Sequence, residues 1–108
     1  MRAALQAAVG ARAALVFVDT ARDVDAIAAA PRDSGVVLVV IEATVAPLDR
    51  AMLCAAIGPL AVALAPQTRL VALDLADDAD SAAAAAAAHY LLTASSTTGQ
   101  IVRIAPDA

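Results

Sequence analysis

The side chains of this chain that can do chemistry are few, and the most suggestive are carboxylates placed just after apolar runs. Asp19 follows Leu15-Val16-Phe17-Val18, Glu42 and Thr44 follow Val36–Ile41, and Asp74 follows Leu70-Val71-Ala72-Leu73. In open α/β sheets, ligands sit beyond the carboxyl ends of the strands. Asp19, Glu42, Thr44 and Asp74 therefore outline an acidic rim suited to an amine or a cation. His89 and Tyr90 are adjacent, but a lone histidine without a second His or a Cys is not a metal set. Tyr90 has no lysine to activate it as an acid. Both read as helix-surface residues. Asp77, Asp78 and Asp80 lack the glycine and terminal glutamate of a calcium loop and read as a cap for the helix that follows. Cys54 sits within an apolar segment as a small core residue. The hydroxyls of Ser95-Ser96-Thr97-Thr98 read as a loop entering a strand.

Composition narrows the function classes further. All seven basic residues are arginine, which excludes a Schiff base or a phosphate-binding lysine supplied by this chain. A formal charge of −4 and a pI near 4.5, with one Phe, one Tyr and no Trp, leave neither a basic stripe nor a stacking platform for nucleic acid. The single cysteine permits no intrachain disulfide and no thiolate cluster, and fits a reducing cytoplasm. The N-terminus reaches Gly10 and Arg12 too soon for a signal-peptide core. Two uncharged runs, 51–68 and 81–102, are interrupted by Gly58-Pro59 and by Thr93–Gly99. Neither reaches the ~20 strongly apolar residues of a membrane span, so no membrane association is expected.

The elements that must position these residues alternate between helical and β-branched character, the pattern of a parallel sheet with crossover helices. Met1–Val9 reads as a short helix ended by Gly10, and Leu15–Val18 as a buried strand. Asp23–Ala30 follows as a short helix closed by Pro31. Val36–Ile41 is apolar without alternation, so it is buried on both faces and central. A long helix from Pro47 to about Ala65 contains Pro59, and a bend or break is expected near Gly58. Leu70–Leu73 and Ile101–Ile104 supply two more strands, and Ser81 with its alanine tract forms the helix between them. With 108 residues the chain suits one α/β domain that buries roughly 65% of its unfolded surface. Four mainly parallel strands are expected side by side in sequence order, joined by right-handed crossovers with helices on both faces.

Several of these segments resemble the short-chain dehydrogenase/reductase family. Phe17-Val18-Asp19-Thr20 is similar to that family's third strand, Val36–Ile41 to its fourth, and Asp49–Leu60 with its Gly-Pro step to the long helix after it. Leu64-Ala65-Pro66 through Leu73 resembles the run into the sixth strand. Tyr90–Ile104, with Thr98-Gly99-Gln100, resembles the last helix, loop and strand. The likeness spans about Ala11 to Ile104. It lacks the first two strands and their glycine-rich turn, the fifth strand with the catalytic serine, and the helix carrying Tyr-x-x-x-Lys. The four glycines, Gly10, Gly35, Gly58 and Gly99, are scattered singly, so no dinucleotide fingerprint can be assembled. The resemblance implies a shortened, degenerate, Rossmann-like member without cofactor loop or catalytic triad.

The expected function is that of a non-catalytic module, with no cofactor and no metal, acting as a homo-oligomer (dimer or tetramer) or with a protein partner. By analogy with the family's interfaces, Leu60 and Leu64 on the long helix and Ala85 and Tyr90 on the alanine-rich helix are the expected contact residues, with Leu60 and Leu64 left exposed. The alternatives are a small-ligand domain using the acidic rim, and a reductase subunit completed by another chain.

Overall fold

The computed structural model describes residues 1–106. Helix α1 (Arg2–Val9) leads into strand β1 (Ala14–Val18). A 3-10 turn (Ala21–Asp23) and the short helix α2 (Val24–Ala28) connect it to β2 (Val36–Ile41). Helix α3 (Pro47–Leu64), β3 (Arg69–Leu75), α4 (Ser81–Thr93) and β4 (Ile101–Ile104) complete the order. All strand pairs are parallel, and the sheet runs β1-β2-β3-β4. The expected strands, their direction and their order are all present.

Side chains alternate between the two faces of the sheet, so each face has its own core. Val36, Leu38 and Val40 of β2 with Val71, Leu73 and Leu75 of β3 pack under Leu5 and Val9 of α1 and Ala84, Ala88 and Leu91 of α4. Val37, Val39, Ile41, Leu70 and Ala72 pack on the other face, under Ile27 of α2 and Leu53, Ile57, Ala61 and Leu64 of α3. The whole of β2 is buried, as its unbroken apolar run requires.

The expectation of uniformly right-handed crossovers does not hold. The β1–β2 and β2–β3 connections pass over the α2/α3 face, whereas α4 carries β3 to β4 over the α1 face. With every strand parallel and each next strand added on the same side, the third crossover has the opposite hand. Since the right hand is nearly universal, the first two take it and the last is left-handed. Burial explains the exception: on the α1 face, Leu38, Val40, Val71 and Leu73 lie under an eight-residue helix that cannot cover both central strands alone. The alanines of α4 let it sit close beside α1, and together the two helices close that face.

Helix α3 is unbroken from Pro47 to Leu64, with Pro59 inside it, so the expected break near Gly58 is absent. Gly58 and Pro59 lie on the solvent side, where the carbonyl that proline leaves without a partner can be hydrated. By length and composition α3 is apolar enough to cross a membrane. Here it is the crossover helix between two paired strands, with one side on the sheet.

Candidate functional site

The four rim residues do lie at the carboxyl ends of the strands, but the structure surrounds them with arginines. Asp74, on β3, is 8% exposed and lies between Ile41 and Arg103 in the strand register. Its carboxylate is held by Arg50, from the first turns of α3, and by Arg103 Nη1 at 3.0 Å. Arg50 Nη2 also donates to the Glu42 carbonyl at 2.8 Å, tying the exit of β2 to β3. Glu42 pairs with Arg2 Nε at 3.0 Å, and the same guanidinium stacks over the Phe17 ring at 4.3 Å. Thr44 is exposed in the turn after β2. Glu42 and Asp74 are thus each paired with arginine: Arg2 with the first, Arg50 and Arg103 with the second.

At the end of β1, the Asp23 carboxylate accepts from the backbone N–H groups of Asp19 at 2.9 Å and Thr20 at 3.1 Å. The N–H of Ala21 donates to Asp49 Oδ1 at 3.0 Å. The amides that open this turn are thus occupied by two carboxylates of the chain itself. Asp23 is held below its ordinary range by these backbone donors, chiefly that of Asp19. The Asp19 carboxyl is pushed upward, mainly by its side-chain hydrogen bond with Asp23.

This turn is a direct test for a dinucleotide, whose pyrophosphate needs free backbone amides at a helix N-terminus. The turn after β1 offers carboxylates instead, and the turn after β2 is Glu42-Ala43-Thr44. Neither fits a pyrophosphate. Moreover, the strand order never reverses among the described strands, so the crevice that opens at such a reversal is not formed by them. The hollow at the rim, bounded by Met1, Glu42, Leu75 and Asp78, holds about 200 Å³, below the ~300 Å³ at which small-molecule pockets begin.

The remaining sequence candidates lie on or beside α3, α4 and β4. His89 Nδ1 lies 3.3 Å from Arg12 Nη1, beside the start of β1, because α4 runs back from the rim to the opposite end of the sheet. Tyr90 next to it is 59% exposed. Asp80 caps α4 by accepting from Ala83 N at 2.8 Å. Thr98 Oγ1 accepts from Leu70 N at 3.0 Å, fixing the loop before β4. Cys54 is half-buried against the α3 core.

Of the expected contact residues, Leu64 is 6% exposed and belongs to the core, which corrects its assignment to the surface. Leu60 and Ala85 are half-buried. The exposed apolar side of α3 is instead formed by Leu48, Met52 and Val62, at 72%, 52% and 78% exposure. A periodicity of seven about Ala55 relates Leu48 to Val62, a signal present in the sequence but hidden by the uniform hydrophobicity of this helix. The arginines were missed because ion pairing across strands has no local pattern. Arg69 shows this best: from the first position of β3 it donates to the carbonyls of Leu91, Leu92, Ala94 and Thr97, closing the end of α4.

A parallel sheet layered between helices, with strand ends that point toward a rim, defines a Rossmann-like α/β protein. Within that class, the chain belongs to the SDR-like family of short chain dehydrogenase-like proteins, which it matches over residues 1–104. The match includes α1, upstream of the segments whose resemblance is visible by eye. No curated protein and no solved structure matches the chain. The strands that resemble the family's fourth and sixth, β2 and β3, are immediate hydrogen-bonded neighbours, so the sheet has no gap where a fifth would stand.

Proposed function

We propose that this SDR-like chain is a non-catalytic association module that pairs with a second copy through the outer face of α3. The observation that carries the reading is the pattern on that face. Leu48, Ala55 and Val62 recur at seven-residue spacing, with Met52, Gly58 and Pro59 between them, all within one stripe of the helix. The two charged residues of α3 are engaged elsewhere, Asp49 with Ala21 N and Arg50 with Asp74. Solvent therefore meets about 21 Å of helix without a charge from Ala51 to Leu64.

The stripe is symmetric about Ala55. Two copies crossing antiparallel there bring Leu48 of each against Val62 of the other, and the small Ala55 and Gly58 permit close approach, as an isologous contact requires. The absence of catalytic work is supported by the occupied amides after β1 and by the arginine pairing of Glu42 and Asp74 at the rim.

Sedimentation velocity at about 10 µM tests the reading, since a Kd well below that concentration leaves mostly dimer. Met52→Glu and Val62→Glu, both at exposed positions, are expected to weaken self-association at least tenfold with unchanged circular dichroism. A wild-type chain that sediments as a monomer, or association indifferent to both substitutions, refutes it. NAD(P)-dependent turnover by the purified chain refutes the non-catalytic half.

A further inference from the structure

We infer that strand β1 is a second, independent contact, pairing antiparallel with β1 of another copy to make one continuous sheet. β1 is the terminal strand of the sheet and its edge is open. Glu42 N donates to Val18 O at 3.2 Å, so the peptide groups of Val18 face β2. Backbone direction alternates along a strand, so Val16 and Ala14 face β2 as well, while Leu15 and Phe17 aim their N–H and C=O groups off the sheet. These meet no backbone partner among the described residues.

The two edges of this sheet are built differently. β4 has four residues, one of them Arg103, and its exit continues into Pro106, which bridges to Ala79. A short, charged strand with a nearby proline is a protected edge. The edge of β1 has no such guard: Ala14-Leu15-Val16-Phe17-Val18 carries no charge, no proline and no bulge, and every residue but Val18 is half-exposed. Beside it runs an open groove of about 600 Å³, walled by Arg2 and Phe17 on one side and by Ala26, Ala29 and Pro31 on the other. The small alanines leave the backbone reachable.

Three features select a second copy, and the antiparallel sense, as the occupant. The five-residue strand has its midpoint at Val16, and a two-fold axis there sets Leu15 against Phe17 of the second copy. Those are the two residues whose backbone groups point outward, so each such pair exchanges both of its N–H···O bonds. Charge agrees: exposed Arg12 precedes the strand and exposed Asp19 follows it. Antiparallel pairing brings these opposite charges to the same end, whereas parallel pairing would align like with like. Finally, the side chains on both faces of the edge meet apolar ones, Leu15 against Phe17 on one face and Val16 against Val16 on the other, which keeps each face of the joined sheet apolar.

The arrangement makes a register-specific demand. Val16 lies on the axis opposite its own copy, in a non-hydrogen-bonded pair with Cα atoms ~4.5 Å apart, within the range of a disulfide. The test uses the full chain carrying Cys54→Ser, to remove the native thiol, and Met52→Glu, so that the contact through α3 plays no part. Adding Val16→Cys and oxidising mildly at micromolar concentration is expected to give a covalent dimer on non-reducing gels, while Tyr90→Cys, exposed but far from the edge, stays monomeric. In the same background without Val16→Cys, Val16→Lys is expected to weaken the residual association at least tenfold. A folded Val16→Cys chain that remains monomeric overturns the proposal, including the case in which the edge serves a strand from a different protein. Association that ignores Val16→Lys overturns it too. Neither result bears on the α3 contact.

Discussion

At the scale of single residues, the chain solves its polar problem with arginine. Asp74 is nearly buried and lies between two guanidiniums, so removing it leaves Arg50, itself only 20% exposed, without its counter-charge in a confined site. Breaking such a pair from one side is expensive, and Asp74→Ala is expected to destabilise by roughly 2–4 kcal/mol in urea unfolding. Arg2→Ala, at a pair whose arginine is 60% exposed, is expected to cost under about 1 kcal/mol. The Asp19–Asp23 pair predicts a pH response. Asp23 is lowered from an ordinary value of 3.8, so its contribution to stability is present above that pH and is lost as pH falls through its lower folded value. Asp19 is raised and acts in the opposite sense, its protonation on acidification favouring the fold. The net acid loss therefore belongs to Asp23, and Asp23→Asn should flatten the fall of the urea midpoint below about pH 4. An unchanged acid limb would show that the turn does not carry it. None of this pairing was legible in advance, because each partner is 24 to 40 residues away in sequence, apart from the local contact at Asp23.

At the scale of elements, the strands were legible because β-branched runs flanked by turn residues have few other readings. Val36–Ile41 declared both its existence and its central place. Helix boundaries were legible from Pro47, Asp80 and Gly10, each of which acts on the backbone locally. The continuity of α3 was not, since whether Pro59 breaks a helix depends on which way its disrupted carbonyl points. The face of the sheet taken by α4 was equally hidden: an alanine tract has almost no amphipathic signal, and only the open area beside α1 chose its side. That choice makes Ala88 a sensitive position, fully buried on the inner side of α4. Ala88→Leu adds volume where the helix, α1 and β3 leave none, and is expected to destabilise by about 1–3 kcal/mol. A neutral result in urea unfolding would mean that the α1–α4 contact is looser than the burial indicates.

At the scale of the whole molecule, what sets this chain apart is the surface left over once both sheet faces are covered. The uncharged outer side of α3 and the unguarded edge of β1 belong to different elements of the fold, so the two proposed contacts would not compete. Two distinct two-fold contacts per chain give a closed tetramer when their axes intersect at right angles. Met52→Glu and Val16→Lys should then each leave a dimer, and the combined variant a monomer, by sedimentation velocity. A single substitution that yields monomers directly would mean that one contact carries all the association.

The sequence by itself determined the strand set, the parallel sense, the sequential order, the kinship with the short-chain dehydrogenases and the lack of a glycine-rich cradle. All of these follow from local propensity, burial pattern or residue type. Tertiary structure alone decided the hand of the last crossover, the pairing of Asp74 with Arg50 and Arg103, the burial of Leu64 and the exposure of Leu48 and Val62. The reason is that these depend on which surfaces remain uncovered after the first helices dock, and on charges brought together from distant segments. Neither quantity exists in a chain until it has folded.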